Sequence, residues 1–121
     1  MPQLWRIIVV EDDPIIAIGL HDMLESIGCE VAGRASSVLS ALRLLQRLPL
    51  PQGAVLDCNL GGEKVWPVAD VLRGHGVPFI FCTGYSTADI SPRFAAVPVL
   101  AKPCDIAALR RVFLPLLRHR E

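Results

Sequence analysis

The chain of 121 residues is 52% hydrophobic and 20% charged, which excludes a disordered segment and allows one domain with a core of its own. Twelve basic residues balance twelve acidic ones, so net charge gives no reason for direct nucleic-acid binding, and no apolar run is long enough for membrane insertion. Function must come from local charge, and its densest concentration is Glu11, Asp12 and Asp13 in the stretch VVEDDP.

Leu4 to Val10 is apolar without alternation, the pattern of a strand buried on both faces. Asp13-Pro14 then opens a helix, with Asp13 as cap and Pro14 in the first turn. Ile15, Ile16, Ile18, Leu20, Met23, Leu24 and Ile27 supply its apolar positions, and Gly28 ends it. A short strand is expected at 30–34. Ser36 or Ser37 caps a second helix reaching about Gln46, with Leu39, Leu42, Leu45 and Leu48 inward, and LPLPQG breaks it. GAVLD, residues 53–57, is a third strand, followed by a polar glycine loop, CNLGGEK, and a helix over 65–73 that Gly74 and Gly76 terminate. PFIFC (78–82) and 97–101 are the fourth and fifth strands. A last helix covers 105–118, shortened or bent by Pro115. Between these strands, GYSTADISPRFAAVP has few good helix formers and an interrupting Pro92, so the fourth helix should be short, shifted or mobile.

Alternation of strand and helix implies parallel strands joined by right-handed crossovers. The fold expected is α/β, a flavodoxin-like doubly wound five-stranded parallel sheet of order 2-1-3-4-5, as one domain over residues 1–121. In open sheets of this kind, sites form beyond the carboxyl ends of the strands. That rule gathers Glu11 and Asp12 after strand one, Asp57 at the end of strand three, Thr83 after strand four and Lys102 after strand five.

Converging carboxylates repel, and a hard divalent cation relieves the repulsion. Mg²⁺ takes oxygen ligands in an octahedron and keeps several waters. Glu11, Asp12 and Asp57 offer side-chain oxygens, and Asn59 is placed to add a backbone carbonyl. Such a site recruits phosphate; Lys102 can neutralise phosphoryl charge, Thr83 can donate a hydrogen bond, and Asp57 becomes a candidate nucleophile able to form an aspartyl-phosphate. Asp13 reads as a helix cap and not a ligand.

Together VVEDDP, VLDCNLGG, FCTGY and VLAKP, in this order and at these strand ends, resemble the receiver domain of bacterial two-component response regulators over about Arg6 to Leu117. The resemblance implies that Asp57 accepts phosphate from a histidine kinase or phosphotransfer protein. It further implies that Glu11 and Asp12 bind Mg²⁺, that Thr83 moves toward the phosphate and that Lys102 contacts it. FCTGY resembles the FAT-GUY subgroup, with Cys82 where that motif has Ala, and GGEKVWPVADVL is similar to the corresponding stretch of receivers that work with HWE-type histidine kinases. Three residues before the lysine, where typical receivers carry Tyr or Phe, stands Val99, so the usual Thr–aromatic coupling lacks its aromatic partner.

The expected function is a phosphorylation switch acting through a downstream protein partner. Two readings compete with it. A Mg²⁺-dependent phosphohydrolase would need a substrate-pocket insert and an acid two residues after Asp57, where Asn59 sits. A phosphorylation-independent interaction module would not need the intact set of acids, Thr and Lys. MPQLWR lacks the charged start and apolar core of a secretion signal, and Cys29, Cys58, Cys82 and Cys104 show no CxxC spacing, so a cytoplasmic chain with reduced thiols is expected. Trp5 and Trp66 are expected to pack at the core margin, and Leu114, Leu116 and Leu117 on the sheet.

Overall fold

The computed structural model describes residues 4–84 and 87–119. Strands β1 (Trp5–Val10), β2 (Cys29–Ala35), β3 (Gly53–Leu56), β6 (Phe79–Thr83) and β7 (Val99–Ala101) form one sheet, and β4 (Asn59–Leu60) pairs with β5 (Glu63–Lys64) in a separate hairpin. The sheet order β2-β1-β3-β6-β7 is the expected 2-1-3-4-5 arrangement, with every pairing parallel. Helices α1 (Pro14–Ser26), α2 (Val38–Arg47), α3 (Trp66–Gly74) and α4 (Ile106–His119) cover its two faces.

The unbroken apolar runs have a simple cause. Alternate side chains of one strand enter different cores. Ile8 and Val10 join Ala54, Leu56 and Phe81 beneath α2 and α3, whereas Ile7 and Val9 join Val55, Ile80 and Cys82 beneath α1 and α4. Leu114 and Leu117 are buried in the second core with Leu116 packed against it, as their spacing suggested, and Trp5 and Trp66 are half-buried at the margins.

The caps are where the sequence puts them. Asp13 Oδ1 accepts from the N–H groups of Ile15 (2.9 Å) and Ile16 (3.3 Å). Of the two serines, Ser37 caps α2, in a reciprocal box with Ser40. The helix faces are less well foretold. α1 buries Ala17, Leu20 and Leu24 and leaves Ile15 80% and Ile18 52% exposed, because a helix can turn only one stripe inward and this one carries more apolar residues than a stripe holds. On α2 the inward stripe is Val38, Ala41 and Leu44, not the leucine series; Leu39 is exposed, and Leu42, Leu45 and Leu48 are only partly buried. Pro115 lies inside α4, which runs on to His119 and is therefore not shortened.

Between β6 and β7 the described residues hold no α-helix, only two single-turn 3₁₀ segments, Thr87–Asp89 and Pro92–Phe94. Tyr85 and Ser86, which complete FCTGY and begin this segment, lie outside the described residues. Phe94 anchors the segment: it is buried, stacks on Trp66 at 5.6 Å and meets Phe79 and Phe81 edge-on. The guanidinium groups of Arg73 and Arg93 lie 4.5 and 4.7 Å from its ring centroid, and Arg93 pairs with Asp70 at 2.8 Å.

Gly53 opens β3 where α4 crosses the sheet. A Cβ there would come within 2.5 Å of Leu117, 3.0 Å of Phe113 and 3.1 Å of Ile7, all in the packed core. Gly53→Ala should therefore lose about 1–3 kcal/mol of stability, the usual cost of overpacking, despite the gain in strand propensity. Urea unfolding checks this; an unchanged or raised midpoint would mean that α4 can shift freely.

Candidate functional site

Pairing of β1 with β3, β3 with β6 and β6 with β7 brings four strand ends side by side. Backbone bonds hold the site residues at these ends. Glu11 N–H donates to the Ala35 carbonyl and Asp57 N–H to the Val10 carbonyl, each at 2.9 Å, while Lys102 N–H donates to the Thr83 carbonyl at 3.1 Å. The residues gathered by the sequence rule therefore do converge, on main-chain scaffolding.

Lys102 Nζ lies 2.8 Å from Asp57 Oδ2 and 2.7 Å from Glu11 Oε1. Glu11 and Asp57 are buried, at 3% and 6% exposure, so one ammonium compensates two carboxylates shielded from water. The contact with Glu11 is an ion pair without hydrogen-bond alignment: Oε1 is buried with no aligned donor, whereas Oε2 accepts from the Asp13 N–H at 3.0 Å. Burial pushes the Glu11 carboxyl up to about 7; Lys102 and the Asp13 N–H pull it back only in part, and the Asp57 charge adds to the rise. For Lys102, burial is the largest single influence and acts downward, yet Asp57 and Glu11 together hold it above the usual lysine range.

Asp12 is exposed and faces the loop after Asp57, where its Oδ2 accepts from the Gly61 N–H at 2.9 Å. Carboxylate oxygens of Glu11, Asp12 and Asp57 lie within 4.8 Å of one another. Ligands at 2.0–2.1 Å around one Mg²⁺ can be at most about 4.2 Å apart, so only a small contraction would let all three share an ion. The donor set fits: hard oxygens throughout, one of them buried without a donor. An acidic triad of this kind is typical of a receiver Mg²⁺ site.

Asn59 N–H donates to Asp57 Oδ1 at 3.3 Å, and Asn59 Oδ1 accepts from the Gly62 N–H at 2.9 Å. These bonds belong to a feature that the reading of CNLGGEK as a plain loop missed. The segment is a two-residue hairpin, with Gly61 and Gly62 both at positive φ (62° and 94°). The signal was present, since Gly-Gly between short strands is a hairpin turn. Thr83 is 1% exposed, and its side chain hydrogen-bonds with that of Cys58, directly after Asp57. Sequence reasoning also missed a contact between the thiols of Cys82 and Cys104. No spacing rule reveals it, because sheet topology alone brings residues 22 positions apart together. Val99 sits on β7, half-buried against the core beneath α2 and α3.

Comparison with known proteins accords with this geometry. Residues 7–113 match the response regulator receiver domain family. The chain is similar to SdrG from Sphingomonas melonis Fr1 in its solution structure, at 38% identity over 97% of this chain and 99% of that one, with a TM-score of 0.83. Against the BeF3-activated conformation of SdrG from Pseudomonas melonis Fr1, the identity and coverage are the same and the TM-score is 0.79. It is also similar to the phyllosphere-induced regulator PhyR of Methylorubrum extorquens, at 32% identity over 82 residues, or 66% of this chain and 31% of that protein. The chain thus spans about a third of the length of the curated relative it matches.

The charge balance at the site is open to direct test. Lys102→Met removes the cation shared by two buried carboxylates, so in Mg²⁺-free buffer the variant should be less stable by about 1–3 kcal/mol. Millimolar Mg²⁺ should then raise its melting temperature more than that of the wild type. Equal melting curves with and without Mg²⁺ would show that the acids do not depend on a cation.

Proposed function

The chain belongs to the response regulator receiver domain family and is a phosphoacceptor switch, not a turnover enzyme; on that premise we propose that Asp57 is the residue phosphorylated, with Glu11, Asp12 and the Asn59 carbonyl as its Mg²⁺ ligands and Thr83 and Lys102 as its phosphoryl contacts. The carrying observation is the Lys102 ammonium seated 2.8 Å from Asp57 among buried acids. In that place it both neutralises the carboxylate at rest and stands ready to meet phosphoryl oxygens.

Family membership implies a histidine kinase as the phosphodonor, directly or through a phosphotransfer protein. The Asp57 oxygen attacks phosphorus as the donor's P–N bond breaks, leaving an acyl phosphate on Asp57 while the donor's imidazole departs and takes up a proton. Bound Mg²⁺ would offset the negative charge gathering on the phosphoryl oxygens. Lys102 exchanges part of its contact with Asp57 for a phosphoryl oxygen. The Thr83 hydroxyl, hydrogen-bonded with Cys58 at rest, turns toward the same group. The reading covers residues 1–121 as one receiver unit. No helix among the described residues is long and apolar enough to cross a membrane, and the location proposed is cytoplasmic.

Output passes to a downstream protein partner. The motif likeness to FAT-GUY receivers and to partners of HWE-type kinases, together with the similarity to SdrG and PhyR, supports a stress-type signalling branch in which protein contacts carry the signal. With Val99 in place of an aromatic, the element that changes arrangement is residues 87–98, between β6 and β7. Its two 3₁₀ turns are held through the buried Ile90 and Phe94, the Arg93–Asp70 pair and the bond from Arg73 to the Arg93 carbonyl.

Acetyl phosphate with Mg²⁺ should label the wild type once per chain, and chelation or Asp57→Asn should abolish the label. Thr83→Ala should label at a tenth of the wild-type rate or less, because a lost donor to developing charge costs on the order of 10²–10³ in an enclosed site. Continuous release of phosphate from simple esters would favour the phosphohydrolase instead. For the switch, amide exchange over residues 87–98 should slow on phosphorylation; an unchanged pattern there would remove this segment from the mechanism.

A further inference from the structure

The sheet places a pair of thiols immediately beside the phosphoryl site. Cys82 precedes Thr83 on β6, and Cys104 follows Lys102 and Pro103 after β7. The parallel pairing of Cys82 with Leu100 and of Thr83 with Ala101, and the 3.1 Å bond from Lys102 N–H to the Thr83 carbonyl, lock these segments together. Cys82 is buried in the core beneath α1 and α4, Cys104 packs against the same core, and the two side chains hydrogen-bond to each other. Cys58 is in the core on the other face of the sheet, and Cys29, although buried in the same core as Cys82, opens β2 at the opposite edge of the sheet from β7.

The two sulfurs are unequal. Cys104 is half-buried and lines an open groove of about 480 Å³ against Ile15, Ile16 and Met23 of α1, so a small oxidant can reach it. Cys82 is 1% exposed, and its thiol contacts that of Cys104. The hydrogen bond from Cys82 holds the Cys104 thiol below the ordinary cysteine range, and the same bond, followed by burial, holds Cys82 above it. An accessible attacking sulfur and a buried resolving one are the two parts that a thiol switch requires.

We propose that Cys82 and Cys104 form a reversible disulfide under hydroperoxide, and that this bond switches off phosphoryl acceptance at the adjoining site. The Cys104 thiolate attacks one peroxide oxygen; the S–O bond forms, the O–O bond breaks, and the departing hydroxide takes a proton to become water. Cys82, losing its proton, attacks the Cys104 sulfur; the S–S bond forms, the S–O bond breaks, and a second water leaves. Two thiols are oxidised and one hydrogen peroxide is reduced to two waters, and a dithiol reductant reverses the change. The covalent link ties the residue before Thr83 to the turn that carries Lys102, so neither can make the adjustment that a phosphoryl group demands. A disulfide in a reducing compartment is of this transient, regulatory kind.

The inhibitory half rests on Asp57 being the phosphoacceptor, so the experiment reads the bond and its effect separately. The whole chain is treated with stoichiometric hydrogen peroxide, free thiols are alkylated, and peptides are mapped by mass. The expected product is a Cys82–Cys104 linked peptide that dithiothreitol abolishes. The linked chain should take up phosphate from acetyl phosphate at a rate lower by about tenfold or more, since small misplacements of reacting groups cost that much, and reduction should restore it. Cys104→Ser should label normally and be indifferent to peroxide. A linkage through Cys29 or Cys58, no linkage at all, or a linked chain that labels at the reduced rate would overturn the proposal. If the reduced chain took up no phosphoryl group, the phosphoacceptor reading would fail, and the disulfide would still stand or fall on the linked peptide.

Discussion

One ammonium between two buried carboxylates organises this molecule. Like charges about 4 Å apart repel by roughly 4 kcal/mol even at an effective dielectric constant of 20, a large share of a small domain's stability. Glu11 and Asp57 are fixed at the ends of adjacent strands by main-chain bonds, so they cannot move apart to relieve the repulsion. Lys102 must come to them, and it arrives from β7 at the far side of β6. Sheet order is therefore a condition of the charge balance: with β7 placed anywhere else, the acids would be buried without a counter-charge.

This dependence explains why the site was more legible than its surroundings. Charged residues at strand ends are positioned by topology, and topology follows from alternation and from the handedness of crossovers. Five site residues on four strands could therefore be gathered from sequence. What resisted was whatever depends on side-chain phase. α1 carries apolar residues nearly all round, so the sequence could not say which stripe faces inward, and Ile15 and Ile18 emerged on the surface; α2 has a polar face, but its apolar side is wider than the buried stripe, and Leu39 fell at its exposed margin. The hairpin at Gly61-Gly62 escaped for the opposite reason: its strands are two residues each, too short for any periodic signal. The thiol contact escaped because two residues in different motifs meet only when β6 and β7 are paired.

The region between β6 and β7 shows how composition can replace a regular element. GYSTADISPRFAAVP forms no α-helix among the described residues, but Ile90 and Phe94, both buried, supply the core contacts that a helix face would otherwise make. Two guanidinium groups over the Phe94 ring and an ion pair to α3 hold it from the solvent side. A segment attached at two buried points and otherwise built from short turns has fewer contacts to break than a packed helix, which suits the switching role proposed for it. The bulky aromatic of this region, Phe94, thus lies in the connecting segment, while the β7 position is held by the smaller Val99.

Charge counting links the resting site to its loaded form. With all groups ionised, Glu11, Asp12, Asp57 and Lys102 leave a formal surplus of two negative charges at the sheet's edge. On the proposed reading a divalent cation would cancel that surplus, and conversion of the Asp57 carboxylate to its doubly charged acyl phosphate would add back only one. The acidic run that looks unfavourable in the sequence is thus matched to a state the resting chain does not occupy. Until that state is reached, burial keeps Glu11 poised near neutrality and Lys102 takes the cation's place. If the site is the one proposed, the resting fold bears this mismatch because cation and phosphoryl group then meet a site already shaped and charged for both.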